Sequence, residues 1–129
     1  MKIKTADLTG AALDWAVAKL LNKERYGIGL IYLIRDGKWL DHDKHRYSTD
    51  WAQAGPIIDR ETISVISDDY HGGRGGRSRW SAALSVYESD VGGSLCYGGD
   101  GPTPLIAAMR CFVASRLGDE VDVPEELCS

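Results

Sequence analysis

Two stretches decide the fold: Arg79-Trp80-Ser81-Ala82-Ala83-Leu84-Ser85-Val86-Tyr87-Glu88 and Thr103-Pro104-Leu105-Ile106-Ala107-Ala108-Met109-Arg110-Cys111-Phe112-Val113-Ala114-Ser115-Arg116-Leu117-Gly118. In the first, Trp80, Ala82, Leu84 and Val86 alternate with Ser81, Ala83, Ser85 and Tyr87, the period of a strand with one buried face. In the second, Ile106, Met109, Val113 and Leu117 recur at helical spacing, flanked by Leu105 and Phe112. Thr103 suits the N-cap, and Pro104 the first helical position, where its missing N–H costs nothing. Arg116 lies in the last turn, where a cation suits the helix dipole, and Gly118 just past the end. Between the two, Ser89–Gly93 reads as a turn and Ser94–Tyr97 as a further short strand. Gly98–Pro102 reads as a tight turn ahead of the helix.

Working outward, Leu8-Thr9-Gly10 resembles a helix start with Thr9 as its cap and Leu8 and Leu13 as a hydrophobic staple. Leu13, Ala16, Val17, Leu20 and Leu21 form one apolar face, so the spacing predicts a helix over residues 9–22. Ile28–Ile34 reads as a strand, Asp36-Gly37 as a two-residue hairpin turn, and Lys38-Trp39-Leu40 as the short return strand. Asp41–Arg46 is polar and reads as an exposed loop. Ser48-Thr49-Asp50 can cap a second helix carrying Trp51, Ala54, Ile57 and Ile58, with Trp51 directed to the core. Gly55-Pro56 predicts that this helix splits into two short turns. Thr62–Ser67 alternates as a strand. Residues 68–78 hold four glycines and no aliphatic side chain and read as a mobile loop. The order is α-β-β-α-β-β-(β)-α. Hairpin signals dominate, so the expectation is one α+β domain over residues 1–129, a mainly antiparallel sheet covered by about three helices, sandwich-like (α/β/α). Residues 119–129 read as an acidic, flexible tail.

Composition narrows the function classes. The chain has 129 residues, 43% hydrophobic and 26% charged, an ordinary globular balance. Its formal net charge of −4 disfavours a nucleic-acid partner, which calls for a basic face. It contains no apolar run long enough to span a membrane. Three cysteines, Cys96, Cys111 and Cys128, show no C-x-x-C spacing and fit a reducing compartment. Met1–Thr5 leads into an amphipathic segment rather than a signal-peptide core, so a cytoplasmic location is expected.

The strongest candidate site is the loop His71-Gly72-Gly73-Arg74-Gly75-Gly76-Arg77 and its flanks. Glycine permits close backbone approach. Arg74, Arg77 and Arg79 offer forked donors for phosphate or carboxylate. Tyr70 and Trp80 offer stacking faces. Gly101 and Thr103, at the start of the last helix, supply free N–H groups as a second wall. A second candidate surface gathers Tyr47, Ser48, Asp50, Trp51 and Arg60. His42-x-x-His45 beside Asp41 and Asp43 is half of a metal set, but zinc needs three or four ligands. The solvated-loop reading is therefore preferred, and neither a metal nor a cofactor is expected. No nucleophile elbow or P-loop is present, so no catalytic residue is assigned.

Three motifs are similar to the NinX-like family of lambdoid phages and enterobacterial prophages. They are Lys4-Thr5-x-x-Leu8-Thr9-Gly10-x-Ala12-Leu13-Asp14-Trp15-Ala16-Val17-Ala18, Tyr47-Ser48-Thr49-Asp50-Trp51-x-x-Ala54-Gly55-Pro56-Ile57-Ile58, and Gly101–Ser115 with Leu117-Gly118-Asp119-Glu120-Val121 and Pro124. More distantly the same motifs resemble small phage proteins with an α/β/α sandwich domain. The family is one of unknown function, so the resemblance implies origin and fold. Ile28–Ile34 and Tyr70–Ser78 lie outside its pattern. The resulting expectation is a phage accessory protein acting in the cytoplasm of the infected bacterium. It would aid infection without catalysis, by sequestering a host protein or a small anionic, nucleotide-like ligand in a counter-defence type of role. The alternatives are a small enzyme acting on a nucleotide or related metabolite and a nucleic-acid-associated regulatory module. Oligomeric state is left open, homo-oligomers included.

Overall fold

The computed structural model describes residues 1–26, 34–35, 38–39, 42–67 and 79–127. Most of the strand expected over Ile28–Ile34, the Asp36-Gly37 turn, Leu40, Asp41, the loop Tyr70–Ser78 and Cys128 lie outside the described residues.

The framework is an antiparallel sheet of β4 (Ser64–Ser67), β5 (Trp80–Glu88) and β6 (Gly93–Gly101), in that order. Ala82 and Leu84 of β5 are buried, and Ala83 and Ser85 are exposed, as the alternation predicts. Helix α3 (Pro104–Leu117) lies on the buried face. Its N-cap is Thr103, whose hydroxyl accepts from the Ile106 N–H at 3.2 Å. It is apolar around most of its circumference: Leu105, Ala107, Ala108, Met109, Cys111, Phe112 and Val113 are all buried. A helix of that kind must be covered on more than one side. Helices α1 (Gly10–Tyr26) and α2 (Trp51–Glu61) supply the second cover. The order of layers is therefore sheet, then α3, then α1 and α2. The domain is α+β, and among the described residues it has three α-helices and mainly antiparallel pairing. Among the described residues, Ser64, Ile66, Ala83, Ser85, Cys96 and Gly98 on the far face of the sheet are exposed.

β6 runs through the segment read as a turn. Gly98–Gly101 remain paired to Ala83–Trp80 because the chain needs strand backbone, not a turn, where α3 crosses it closely. A Cβ on Gly99 would stand 2.5 Å from the Ala107 carbonyl oxygen and 2.6 Å from the Cys111 nitrogen. Gly99 and Gly101 therefore serve helix–sheet contact, and the signal read as loop was in part a packing signal.

Other expectations are corrected as well. α2 is one continuous helix despite Pro56. Asp50 caps it by accepting from the Ala52 N–H at 2.9 Å, and buried Ala54 and Ile57 hold it against the core. Trp51, expected in the core, opens α2 and is 56% exposed. Thr62, read as strand, is the C-cap of α2 in the left-handed region, φ 55°. α1 extends beyond residue 22, to Tyr26.

The chain ends pair as β1 (Lys2–Lys4) and β7 (Glu120–Asp122), with Lys2 opposite Asp122 and Lys4 opposite Glu120. The acidic segment read as a flexible tail is thus tied back, and Val121, Val123 and Leu127 are buried. Two short strands of the expected hairpin, β2 (Ile34–Arg35) and β3 (Lys38–Trp39), pair antiparallel, with Ile34 opposite Trp39.

Candidate functional site

Asp14 sits on α1 between Leu13 and Trp15 and is 1% exposed. A buried carboxylate is tolerated only with partners. Its Oδ1 accepts from the Ser48 backbone N–H at 2.7 Å, and its Oδ2 lies 2.7 Å from His42 Nε2. Because a carboxylate accepts, the chemistry places the proton of this bond on Nε2. His42 Nδ1 is then the ring's other nitrogen, with no partner among the described residues.

Trp39, 5% exposed, is a platform for two imidazoles. His42 stacks on it with ring centroids 5.4 Å apart, and His45 at 5.1 Å with the planes 4° apart. His45 Nδ1 lies 3.1 Å from the Tyr47 hydroxyl. Asp14, His42, Trp39, His45 and Tyr47 thus form one run of contacts from the middle of α1 to the approach to α2. The segment read as a solvated loop is solvated only in part. Asp43, Lys44 and Arg46 are exposed, while both imidazoles are half-buried on the indole. Two buried polar atoms here have no hydrogen-bond partner among the described residues, Trp39 Nε1 and Ser48 Oγ.

A cleft opens on either side of this run. One, of about 490 Å³, lies at the start of α1 and is walled by Leu8, Trp39, His42, Asp43, Arg46 and Glu126. The other, of about 670 Å³, lies between α1 and α2 and is walled by Lys44, His45, Tyr47, Gln53, Ile57 and Arg60. Both fall in the size range of small-molecule sites.

The structure brings together part of what the sequence pointed to. Tyr47 and Arg60 of the second candidate surface meet in the α1–α2 cleft. Ser48 is buried and its N–H is given to Asp14. Asp50 is occupied with capping and with the Gln53 side chain at 3.2 Å. Trp51 lines neither of these clefts. Of the first candidate surface, Tyr70, His71, Arg74 and Arg77 lie outside the described residues. Trp80 faces Gly101 across β5 and β6, and Thr103 caps α3. Arg79 is exposed, and its charge is felt by Arg110. Burial, and then repulsion from Arg79, hold Arg110 below its ordinary value against the pull of Asp7 and Asp100. Arg110 itself donates to the Leu8 carbonyl at 2.8 Å and to that of Asp100 at 2.7 Å.

Residue-by-residue reading passes over Asp14 and Trp39. The available signal is a carboxylate embedded in the apolar run Leu13–Leu21, one turn before Val17 and Ala18, where solvation is denied. Among the described residues, no three His, Cys, Asp or Glu side chains are grouped to hold a metal ion.

β1 pairs with β7, one helix is nearly enclosed and two open clefts flank an aromatic–imidazole stack, which defines a small α+β protein with ligand-sized recesses. The chain belongs to the family described as Bacteriophage P22, NinX, whose sequence model matches residues 4–116. It is accordingly a phage accessory protein. No curated protein matches the chain. Among the described residues, no helix is long and apolar enough to cross a membrane.

Proposed function

We propose that this accessory protein acts without catalysis, by capturing a small anionic, nucleotide-like ligand in the cleft between α1 and α2. The observation that carries the reading is the convergence of two rings, His45 and Tyr47, with two cations, Lys44 and Arg60, around one recess of about 670 Å³. The rings offer faces to a base, and the cations offer donors to phosphate. Arg60 is 51% exposed; its Nε donates to Glu61 at 3.0 Å, but the contact of its Nη2 to Glu24 is long at 3.5 Å, so the far end of the guanidinium is held lightly. Lowering the free concentration of a ligand that the host uses for defence would serve infection. Capture of a host protein is the same reading on a larger ligand. Arg74, Arg77, Arg79 and Trp80, the first candidate surface read from the sequence, remain a proposed contact surface for either.

The test is incubation with a pool of nucleotides, then native mass spectrometry of what stays bound and analysis of what is consumed. Retention of an unaltered nucleotide, weakened about tenfold or more in Arg60→Ala, supports capture, since a charge-assisted contact contributes on the order of 1.5–3 kcal/mol. No retention by the folded protein overturns the nucleotide reading.

A second reading, a small enzyme acting on a nucleotide, draws on the Asp14–His42 pair, since a carboxylate that orients an imidazole is a common acid–base arrangement. Consumption of a pool member that is abolished in His42→Gln would favour it.

A further inference from the structure

The cleft at the start of α1 differs in character from the one between α1 and α2. Its charged walls carry both signs. Arg46, Asp43 and Glu126 are all exposed there, and none of the three side chains is engaged in an ion pair with another described residue. Opposite charges that share a recess without closing on one another are free to be satisfied by a guest.

Two further observations point the same way. The start of α1 has no acidic residue in its first turn, and Gly10 leaves open space where a side chain would stand. Its free N–H groups thus face no carboxylate of their own turn. Beside them, Trp39 is 5% exposed and lines the cleft with Nε1 unpaired, a donor for which the described residues supply no acceptor. Leaving a buried donor unmade is costly, and a guest acceptor removes that cost. Stacked on Trp39 and fixed through Nε2 by Asp14, His42 has an Nδ1 with no partner among the described residues. In the neutral ring that nitrogen is an acceptor.

The geometry points to a ligand site for a small zwitterion of the free α-amino-acid type. Its carboxylate is received by Arg46, the first turn of α1 and the Trp39 indole N–H. Its ammonium is received by Asp43, Glu126 and His42 Nδ1. The volume of about 490 Å³ admits a molecule of that size and excludes a folded partner. Asp7 also lines the cleft, but its charge is shared with Arg110, so it is assigned no part in holding the ammonium. The site is separate from the α1–α2 cleft, and neither reading depends on the other.

Calorimetry and thermal unfolding with the free L-amino acids, taken one at a time at millimolar concentration, test the assignment. The N-acetyl and α-amide derivatives of each are the controls. At least one free amino acid is expected to bind and raise the unfolding temperature. Blocking either its amine or its carboxylate should weaken binding about tenfold or more. Arg46→Ala and Asp43→Asn, both at exposed positions, should each weaken it to a similar degree. Trp39→Phe keeps a ring for the imidazoles while removing the N–H, and should weaken it further in a protein that still folds. Failure of every free amino acid to bind overturns the assignment. So does binding of the blocked derivatives at equal strength, or binding unchanged in Arg46→Ala and Asp43→Asn. Nucleotide retention should be unaffected by Arg46→Ala, so the two clefts are read out separately.

Discussion

Helix α3 and the segment from Trp39 to Ser48 are held in place by opposite means. α3 has seven buried apolar or small residues, and its position follows from the area they remove from water. Among its described residues, the Trp39–Ser48 segment has one buried ring, Trp39, and its position follows from two short hydrogen bonds to a single carboxylate, Asp14. Burial of apolar area is non-directional and tolerant, whereas a buried carboxylate fixes its partners in distance and angle. The first region makes the fold, and the second shapes the walls of both clefts.

The largest expected effect breaks the first region. Met109 is fully buried. Met109→Asp strands a charge in the core, and the cost should exceed the roughly 5–15 kcal/mol that holds a domain folded. Circular dichroism should show an unfolded chain, and a folded variant would refute the central place given to α3.

A smaller loss should follow from breaking the second region alone. Asp14→Ala leaves the Ser48 N–H and the His42 ring without their acceptor, which should cost about 3 kcal/mol, as for other buried pairs that lose one partner. Denaturant unfolding should retain one cooperative transition at a lower midpoint. An unchanged midpoint would mean that the carboxylate is only tolerated.

The smallest expected effect concerns a third kind of tie. Glu61 at the end of α2 receives Arg116 and Arg60, and Arg116 also reaches Glu24 at 2.9 Å, so the three helices meet in one charge cluster. Burial pushes the Glu61 carboxyl up, but the bonds to Arg116 and Arg60 outweigh it and leave the group below its ordinary value of 4.5. A carboxyl lowered in the folded state adds stability that is present above the ordinary value and lost as pH falls through the folded one. Glu61→Gln should therefore lower stability at neutral pH by at most about 1 kcal/mol, given the solvent access of its partners Arg60 and Arg116, and flatten the fall in stability below pH 4.5. An acid limb of the same slope in both proteins would remove the cluster from the account.

The contrast also explains what the sequence made legible. The period of two in Trp80–Val86 and the helical spacing in Ile106–Leu117 are repeated signals, and both elements stand where those signals put them. Gly98–Gly101 misled because glycine marks close backbone approach as well as turns, and the α3 contact that distinguishes the two is invisible to a local pattern. Pro56 misled because propensity counts one helix against its own cost, while Ala54 and Ile57 tie α2 to the rest. β1 and β7 went unread because three residues carry no period; only the complementary Lys-Ile-Lys and Glu-Val-Asp hinted at them. The clefts were least legible. Tyr47 and Arg60 belonged to one candidate surface, but the network that orders Tyr47's neighbourhood runs through Asp14, 34 positions from Ser48 in the chain. No local pattern records such a pairing.

Asp14 orders the cleft walls independently of the core around α3. Amide hydrogen exchange of the unmodified protein and Asp14→Ala under native conditions tests it most directly. The Ser48 amide is expected to be protected in the former and to exchange much faster in the latter, while the amides of Ala108–Val113 in α3 keep most of their protection. A Ser48 amide that exchanges freely in the unmodified protein, or protection lost equally along α3, would contradict it.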